Sequence, residues 1–357
     1  MKSKTVLVGM SGGVDSSVTA ALLLREGYTV IGGFIKNWSD AKDAWTGECN
    51  WRGERRDAMR VCAKLGIPML TFDFEKTYRE KIISELFSGY ASGSTPNPDV
   101  LCNEYIKFGL FFEEAKRLNM AYVATGHYAQ IRKDVDGMAH MLRGVDPEKD
   151  QSYFLYRIPQ AVLRQVLFPI GIYEKSRVRE LAAEFDLPTA DKPDSQGICF
   201  IGKLDMQDFL RTRIQPRKGN IISDTGEILG THEGIDGFTI GQRHGIRVSH
   251  GEEPWYVAEK NVEKNEIIVV QGSEHPKLFR RDIRVGDVHW MCGIWPNTEF
   301  HCLVQVRYRQ KPISATAKIE GEILILHCHE LVKAIATGQS AVVYDGDECL
   351  GGGVILG

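Results

Sequence analysis

Residues 9–17 are Gly9-Met10-Ser11-Gly12-Gly13-Val14-Asp15-Ser16-Ser17. This glycine-rich turn follows the apolar run Thr5–Met10 and precedes helical spacing over about Ser16–Arg25. Glycine lets the backbone approach an anion closely, and the free N–H groups at the start of a helix favour negative charge. The turn contains neither the Gly-Lys-Ser/Thr of a Walker A loop nor the G-x-G-x-x-G of a dinucleotide site. We therefore predict a strand, a turn that binds phosphate in another way, and a helix.

Strand and helix patterns alternate through the first half of the chain. Apolar, β-type runs occur at Thr29–Ile35, Pro68–Phe72 and Tyr122–Ala124, and amphipathic helical spacing covers Arg55–Leu65. This alternation predicts a parallel sheet covered by helices on both faces. Ligands of such sheets bind at the carboxyl ends of the strands, which is where the glycine-rich turn lies.

The pattern changes after about Leu204, where helical periodicity fades and short β-type runs dominate. These runs are Ile267–Val270, Cys302–Tyr308, Ile323–Cys328 and Ala341–Tyr344. Short strands separated by turn residues are typical of small all-β modules. We predict an α/β protein with a parallel-sheet domain over residues 1–204, a central β-rich domain over 205–277 and a C-terminal β-barrel over 278–357.

The composition is that of an ordinary folded protein, with 357 residues, 43% hydrophobic residues, 25% charged residues and a net charge of −3. This length exceeds what one hydrophobic core usually supports, so two or three domains are expected. The eight cysteines include no Cys-x-x-Cys pair, which favours reduced thiols over a disulfide scaffold or a zinc ribbon. We recognise no signal peptide and no apolar run near the about 18 residues of a membrane span. We therefore expect a soluble, cytoplasmic protein.

Two segments raise the question of a metal ion. Asp15 could hold Mg²⁺ between bound phosphates, or it could serve only as a partner of the helix dipole. His327-Cys328-His329 continues an alternating strand, so Cys328 faces away from both histidines. That geometry cannot gather the three side chains on one ion, and we predict no protein-bound metal centre.

Two further segments contain cysteines that suggest chemistry. A stiff, extended loop is predicted for Ser94-Thr95-Pro96-Asn97-Pro98-Asp99-Val100-Leu101-Cys102-Asn103. Cys102 comes just before helical spacing over Tyr105–Arg117, and a helix start stabilises the thiolate form. Asp99 lies close enough in the loop to transfer protons. In Asp194-Ser195-Gln196-Gly197-Ile198-Cys199-Phe200, Cys199 is either a small core side chain or a reactive thiol.

These motifs occur in order with four others: Thr125-Gly126-His127-Tyr128, Lys149-Asp150-Gln151-Ser152, Gly237–Arg243 and Cys349–Val354. Together they resemble the bacterial tRNA-specific 2-thiouridylases of the PP-loop ATP pyrophosphatase superfamily. The resemblance runs essentially from end to end. It implies that the first domain is a catalytic domain of the adenine nucleotide α hydrolase-like fold.

The resemblance also implies roles for individual residues. The ATP ligands would be Gly9, Met10, Ser11, Gly12, Gly13, Val14, Asp15, Ser16, Ile35 and Gly126. The residues in contact with the target base would be Asn97, Pro98 and Asp99. The residues in contact with tRNA would be His127, Lys149, Asp150, Gln151, Arg307, Tyr308 and Gln339. Cys199 would carry sulfur as a persulfide, Cys102 would be its nucleophilic partner, and Asp99 would move protons.

The implied reaction is ATP-dependent 2-thiolation of uridine 34 in the tRNA anticodon, by a sulfurtransferase. AMP is transferred to the C2 oxygen, pyrophosphate leaves, and sulfur then replaces the oxygen as AMP departs. The persulfide could attack C2 directly or release hydrosulfide, and a Cys102–Cys199 disulfide would result. The resemblance implies ATP and Mg²⁺ as cofactors, and the anticodon stem-loop and a sulfur-carrier protein as partners. A monomer that does not engage a membrane is expected.

Three alternatives remain open at the level of sequence. The chain could be an amidating ligase of the same superfamily, which needs no cysteine pair. It could be a non-catalytic, redox-sensing RNA-binding protein, which would not convert ATP to AMP. It could also modify another tRNA base, as the 4-thiouridine and 2-thiocytidine enzymes do. The latter usually depend on an iron–sulfur cluster, and the sequence lacks a suitable three-cysteine arrangement for one.

Overall fold

The first half of the chain folds around a parallel sheet whose strands alternate with helices. The computed structural model of the protein describes residues 4–40, 49–194, 206–246, 248, 253–294 and 299–357. The strands of this half are β1 (Thr5–Gly9), β2 (Thr29–Lys36), β3 (Met69–Asp73), β4 (Tyr122–Ala124), β5 (Ala129–Lys133), β6 (Ala139–Arg143) and β7 (Val166–Leu167). Five of them form one sheet in the order β3-β2-β1-β4-β7, and every neighbouring pair is parallel. The predicted parallel sheet is confirmed.

Strand β1 lies at the centre of this sheet and is buried on both faces. Val6 and Val8 pack into one hydrophobic cluster with helix α1 (Val14–Arg25), whereas Leu7 packs into a second cluster. Alternate side chains of a strand point to opposite faces, so β1 supplies both cores. This explains why its core residues are all apolar instead of alternating with polar ones.

Several helices begin earlier than the sequence predicts. The bounds are α1 (Val14–Arg25), α2 (Asn50–Leu65), Gln160–Leu163, Lys175–Glu184 and Met206–Arg211, with 3₁₀ turns at Ser152–Phe154, Ile235–Gly237 and Pro276–Leu278. One longer run joins Glu75–Thr77, Tyr78–Ile83 and Ser84–Ala91. A second run, the cysteine helix, joins Pro98–Leu101, Cys102–Leu110 and Phe111–Arg117. None of the helices that the structure describes is both long enough and apolar enough to cross a lipid bilayer.

The second half of the chain is built almost entirely from strands. They are β8 (Gly219–Ser223), β9 (Ile228–His232), β10 (Trp255–Asn261), β11 (Glu266–Gln271), β12 (Phe279–Trp290), β13 (Glu299–Gln305), β14 (Ile313–Glu320), β15 (Ile323–Lys333), β16 (Ser340–Asp345) and β17 (Glu348–Ile355). The first four form a sheet in the order β10-β11-β8-β9. The other six follow the order β12-β15-β14-β13-β16-β17, and β12 also pairs with β17. This closure confirms the predicted C-terminal barrel.

A hairpin from the first half of the chain extends the sheet of this barrel. Strands β5 and β6 pair with each other, and β6 pairs with β17 through Met141–Cys349 and Leu142–Glu348. This connection was not predicted from the sequence. The N-terminal part and the C-terminal barrel therefore share one continuous eight-stranded sheet.

Candidate active site

The glycine-rich turn closes on itself through its serine side chains. The hydroxyl oxygens of Ser11 and Ser16 lie 3.1 Å apart, and Ser16 Oγ donates to the Gly13 carbonyl at 3.0 Å. The Gly13 N–H donates to Ser11 Oγ at 3.3 Å. The turn joins the carboxyl end of β1 to the first residue of α1, Val14. An anion placed here would meet two hydroxyls and the N–H groups of the helix start.

Gly12 is the position of this turn where the backbone requires glycine. Its φ is +75°, and a Cβ atom would lie 2.3 Å from the backbone oxygen of Glu54 in α2. Lys192 Nζ donates to the Gly12 carbonyl at 3.0 Å and pairs with Asp57 of α2 at 2.6 Å. Helix α2 and Lys192 therefore fix the outer side of the turn.

Gly126 brings the turn after β4 against the start of α1. A Cβ atom at Gly126 would lie 2.8 Å from both the carbonyl carbon of Asp15 and the backbone nitrogen of Ser16. The absence of a side chain is therefore what lets the two turns touch. Ile35, the other predicted adenosine contact, is 6% exposed at the end of β2, in the same hydrophobic cluster as Cys102.

Asp15 holds the one carboxylate in the first turn of α1. Its Oδ1 accepts from Tyr128 Oη at 2.8 Å and from Lys175 Nζ at 2.7 Å. Burial and the Asp15 carboxylate raise the pKa of Tyr128, so the phenol stays protonated and donates. Among the described residues, no group of three or more His, Cys, Asp or Glu side chains could hold a metal ion.

Asp194 lies next to Asp15 at the centre of a cluster of cations. Lys149 Nζ is 2.8 Å from its Oδ2, while Lys175 Nζ at 3.0 Å and Arg179 at 2.6 Å reach its Oδ1. Burial alone would raise the pKa of Asp194, but hydrogen bonds from Lys149 and Lys175 outweigh it and lower that pKa. The carboxylate is therefore ionised and shared between several partners.

The cysteine helix starts earlier than predicted, which changes the position of Cys102. Asn97 is the N-cap, because its Oδ1 accepts the Val100 N–H at 3.4 Å, and Pro98 occupies the first helical position. The N–H of Cys102 donates to the Pro98 carbonyl, so Cys102 lies one turn inside the helix. The prediction that Cys102 lies just before the helix is wrong. Cys102 is fully buried, whereas Asp99 lies in the first turn.

A lysine on the cysteine helix connects it to the turn after β4. Lys107 Nζ lies 3.2 Å from Nε2 of His127, and Nδ1 of His127 lies 2.7 Å from Thr125 Oγ1. Because an ammonium group can only donate, Nε2 accepts and the neutral ring carries its proton on Nδ1. Burial, and secondarily the Lys107 charge, lowers the pKa of His127 well below its usual value, which agrees with a neutral ring.

The predicted RNA-contact residues before the 3₁₀ turn Ser152–Phe154 differ in how far they face solvent. Lys149 pairs with Asp194 and is partly exposed. Asp150 is 7% exposed and accepts from Arg143 at 3.0 Å and from the Gly144 N–H at 2.9 Å. Gln151 is hydrogen bonded to the backbone of Tyr128 in both directions, at 3.0 and 2.8 Å.

The predicted RNA-contact residues of the barrel lie at junctions between parts of the chain. Gln339 Nε2 donates to the carbonyl of Thr95, in the loop before the cysteine helix, at 2.8 Å. Arg307 donates to the Ile240 carbonyl at 2.7 Å, and burial lowers the pKa of Arg307. The Tyr308 ring lies 4.6 Å from the Phe154 ring. The barrel thus positions the loop that leads to Cys102.

Contacts link several of the predicted site residues, for example Asp15 with Gln151 through Tyr128. Cys199 lies outside the described residues. Lys175 and Lys192 contact the glycine-rich turn of residues 9–17, called the phosphate turn from here on. These two contacts were not predicted. Both lysines are distant from the turn in the sequence, and a single lysine is by pattern alone an ordinary surface residue.

Replacing Asn97 by alanine should lower the free energy of unfolding by about 1 kcal/mol, because the cysteine helix loses its cap. Asn97→Ser should keep most of that stability, since serine also caps well. Denaturant unfolding of the two variants measures the difference. If Asn97 also contacts the target base, as the resemblance implies, Asn97→Ser will be stable but less active. Equal stability of wild type and Asn97→Ala would contradict the capping role.

The chain matches family models over most of its length, and these matches define the class of protein to which it belongs. Residues 4–203 match the model described as the tRNA methyl transferase HUP domain. Residues 207–271 match its PRC-barrel domain, and residues 280–355 match an aminomethyltransferase β-barrel domain. The class is therefore a HUP-domain protein followed by two β modules.

Individual relatives narrow the class to one family. The tRNA-specific 2-thiouridylase MnmA of Enterococcus faecalis is 44% identical over 359 residues, covering 99% of this chain and 96% of that protein. The proteins of the same description from Staphylococcus saprophyticus and Bacillus subtilis are each 45% identical, covering 99% and 98% of this chain and 95% and 94% of their own lengths. The chain belongs to the family of tRNA-specific 2-thiouridylases.

Proposed function

We propose that this protein converts uridine 34 of tRNA to 2-thiouridine, using ATP and a cysteine persulfide. The observation that carries the proposal is the closed phosphate turn, packed against the Gly126 turn and joined to the Cys102 helix through Lys107 and His127. Relatives described as tRNA-specific 2-thiouridylases match nearly the whole chain, which supports the same reaction. The domains would be the catalytic unit 1–204, the central unit 205–277 and the barrel 278–357.

The phosphate turn would bind ATP and position its α-phosphate for attack. Ser11, Ser16 and the N–H groups at the start of α1 would hold the β- and γ-phosphates, while Ile35 and Gly126 would contact the adenosine. The C2 oxygen of uracil attacks the α-phosphorus, the bond between the α- and β-phosphates breaks, and pyrophosphate leaves. The C2 oxygen becomes part of AMP, which is a far better leaving group than an oxide.

The residues of the turn fit a magnesium ion bound together with the nucleotide. Asp15 supplies a carboxylate next to the phosphate position, and Mg²⁺ is usually bound by one or two carboxylates plus substrate phosphates. When bound, the ion would neutralise charge on the pyrophosphate group. Lys175 balances the Asp15 charge in the structure, at 2.7 Å.

Sulfur transfer would use the two cysteines in turn. The terminal sulfur of a persulfide on Cys199 attacks C2, and AMP departs with the former C2 oxygen. Cys102 then attacks the inner sulfur, which forms a Cys102–Cys199 disulfide and leaves the terminal sulfur on the base. Alternatively, Cys102 attacks first and the released hydrosulfide attacks C2. Asp99 would transfer the protons, and an external thiol must reduce the disulfide before the next cycle.

The proposed partners follow from this chemistry. The anticodon stem-loop would present an unpaired base that can be extruded into the site. Asn97, Pro98 and Asp99 would contact that base, and the RNA contacts would come from His127, Lys149, Asp150, Gln151, Arg307, Tyr308 and Gln339. A sulfur-carrier protein would deliver persulfide sulfur to Cys199. The enzyme would act as a cytoplasmic monomer.

The proposal is tested by nucleoside mass spectrometry of tRNA incubated with the protein, MgATP and a persulfide donor. The expected result is 2-thiouridine at position 34, with AMP and pyrophosphate formed in equal amounts. A tRNA carrying cytidine at position 34 is the matched control and should remain unmodified. Formation of ADP, thiolation at another base, or AMP formation without any thiolated nucleoside would contradict the proposal.

A further inference from the structure

A chain of alternating charges connects a predicted RNA contact to the phosphate turn. Lys149 Nζ lies 2.8 Å from Asp194 Oδ2, and Asp194 Oδ1 lies 3.0 Å from Lys175 Nζ. The same Lys175 nitrogen lies 2.7 Å from Asp15 Oδ1. One end of this chain is therefore a lysine expected to bind RNA phosphate, and the other end is the carboxylate next to the ATP phosphates.

Lys175 is held between two carboxylates with little access to water. Its side chain is 13% exposed, and the start of its helix is fixed by a hydrogen bond from the Lys175 N–H to Asp146 at 2.9 Å. The single ammonium charge is therefore divided between Asp15 and Asp194. A change in the pairing of either carboxylate changes how strongly Lys175 pairs with the other.

Asp194 is shared in the same way, because Lys149, Lys175 and Arg179 all reach it. Arg179 also donates to the carbonyls of Ala190 and Lys192, at 2.9 and 2.6 Å, which fixes it in place. Lys149 is held less firmly than the other two partners: its side chain is 29% exposed against 13% for Lys175, and among the described residues it lacks the carbonyl contacts that fix Arg179. An RNA phosphate near this surface would compete with Asp194 for Lys149.

We propose that Asp194 is a positioning residue that couples RNA binding to MgATP binding through Lys175. This inference rests on the proposed function, since it needs both ligands at this site. When an RNA phosphate draws Lys149 away from Asp194, Asp194 attracts Lys175 more strongly. The ion pair between Lys175 and Asp15 then becomes weaker. The Asp15 carboxylate then becomes available to the cation that accompanies the ATP phosphates, so RNA strengthens nucleotide binding. Linkage requires MgATP to strengthen RNA binding by the same factor.

A second set of contacts keeps Asp15 in place while its charge partner changes. Tyr128 Oη donates to Asp15 at 2.8 Å, and the Tyr128 backbone is hydrogen bonded to Gln151 in both directions. This hydrogen bond is separate from the Lys175–Asp15 ion pair, and Lys175 Nζ also lies 5.7 Å from the centre of the Tyr128 ring. Asp15 can therefore exchange its charge partner without leaving its position at the start of α1.

The test is a binding measurement that involves no chemistry. Calorimetry measures the Kd of α,β-methylene-ATP with Mg²⁺, with and without an anticodon stem-loop RNA that contains the target uridine. The wild type should bind the nucleotide at least about 5-fold more tightly when RNA is present. Lys149→Gln should bind RNA less well, yet should bind the nucleotide without RNA as tightly as the RNA-bound wild type does. This opposite change distinguishes coupling from a general loss of structure.

Variants of Asp194 complete the measurement. Asp194→Asn should bind the nucleotide weakly whether or not RNA is present, and Asp194→Glu should restore the dependence on RNA. The matched control is Asp186→Asn, which removes an exposed carboxylate that pairs with Lys64 at a left-handed position that asparagine tolerates. That control should show the wild-type ratio of Kd values.

The outcomes separate this inference from the proposed function. If the wild type binds both ligands with the same nucleotide Kd in the presence and absence of RNA, the coupling is wrong and the proposed function stands. Asp194→Asn could weaken the binding of both ligands and yet keep the wild-type ratio of nucleotide Kd values without and with RNA. Asp194 then has only a structural role, and the inference is again overturned. If the wild type binds neither ligand, both proposals are wrong.

Discussion

Cys199→Ala should form 2-thiouridine slower than wild type by on the order of 10⁴-fold or more, since it removes the atom that carries sulfur. The same variant should still bind ATP and release pyrophosphate in a single turnover, because the phosphate turn is built from other residues. Rapid-quench assays with labelled ATP measure this first step, and nucleoside mass spectrometry measures the second.

Cys102→Ala distinguishes the two routes of sulfur transfer. If the persulfide attacks C2 directly, this variant should accumulate RNA linked to Cys199 through a disulfide, because no thiol resolves it. If hydrosulfide is released first, the variant should hold a stable persulfide and form no adduct. Electrophoresis under non-reducing conditions separates these outcomes.

Cys292→Ala is the control for both cysteine variants, since Cys292 is an exposed thiol in the C-terminal part of the chain. It should retain wild-type rates of both steps. Thiolation by Cys199→Ala at a rate near that of the control would contradict the proposed sulfur carrier.

Gly12→Ala should lower kcat/KM for ATP by about 10²-fold, because the phosphate turn cannot keep its shape. A Cβ atom at Gly12 would lie 2.3 Å from the backbone oxygen of Glu54, and the φ of +75° disfavours any other residue. Helix α2 must then move away from the turn, or the turn must open toward the ligand. We expect destabilisation of about 1–3 kcal/mol from the overlap. Steady-state kinetics and denaturant unfolding measure the two effects.

Gly27→Ala is the matched control for Gly12→Ala. Gly27 has a similar φ of +80°, but among the described residues no atom beyond Gly27 and its chain neighbours lies within 4 Å of the position of its Cβ atom. It should show the modest cost of a left-handed alanine, about 1–2 kcal/mol, with kcat/KM unchanged. Equal kinetic effects at the two positions would contradict the role of the contact between Gly12 and Glu54.

The parts of the fold that depend on local sequence were predictable. The phosphate turn, β1 and α1 are adjacent in the chain, and their residues carry the glycines, hydroxyls and apolar runs that define them. The roles of individual residues came from the resemblance to a family, since a hydroxyl or a cysteine does not by itself reveal its ligand. Those roles stay predictions, and Cys199 lies outside the described residues.

Other features could not be predicted because they depend on residues far apart in the chain. The start of the cysteine helix was missed since Asn97-Pro98 favours an extended loop as well as a capped helix start. The contact of Lys175 with Asp15 spans 160 residues, and no periodicity in the sequence reports it. The RNA contact of Asp150 stays a prediction, and the structure adds that its carboxylate accepts hydrogen bonds from Arg143 and from the Gly144 N–H.

The pairing of β6 with β17 has a consequence for synthesis of the protein on the ribosome. The edge of β6 at Met141 is covered only after Cys349 has been synthesised. In the same way, the barrel can close only after β17 has been synthesised and pairs with β12. Until then β6 presents unpaired backbone groups, which are a template for pairing with another chain. A nascent chain emerging at about 5–20 residues per second would carry this exposed edge for on the order of ten seconds or more. Cellular factors that shield such edges would therefore matter more to this protein than to one whose domains close independently.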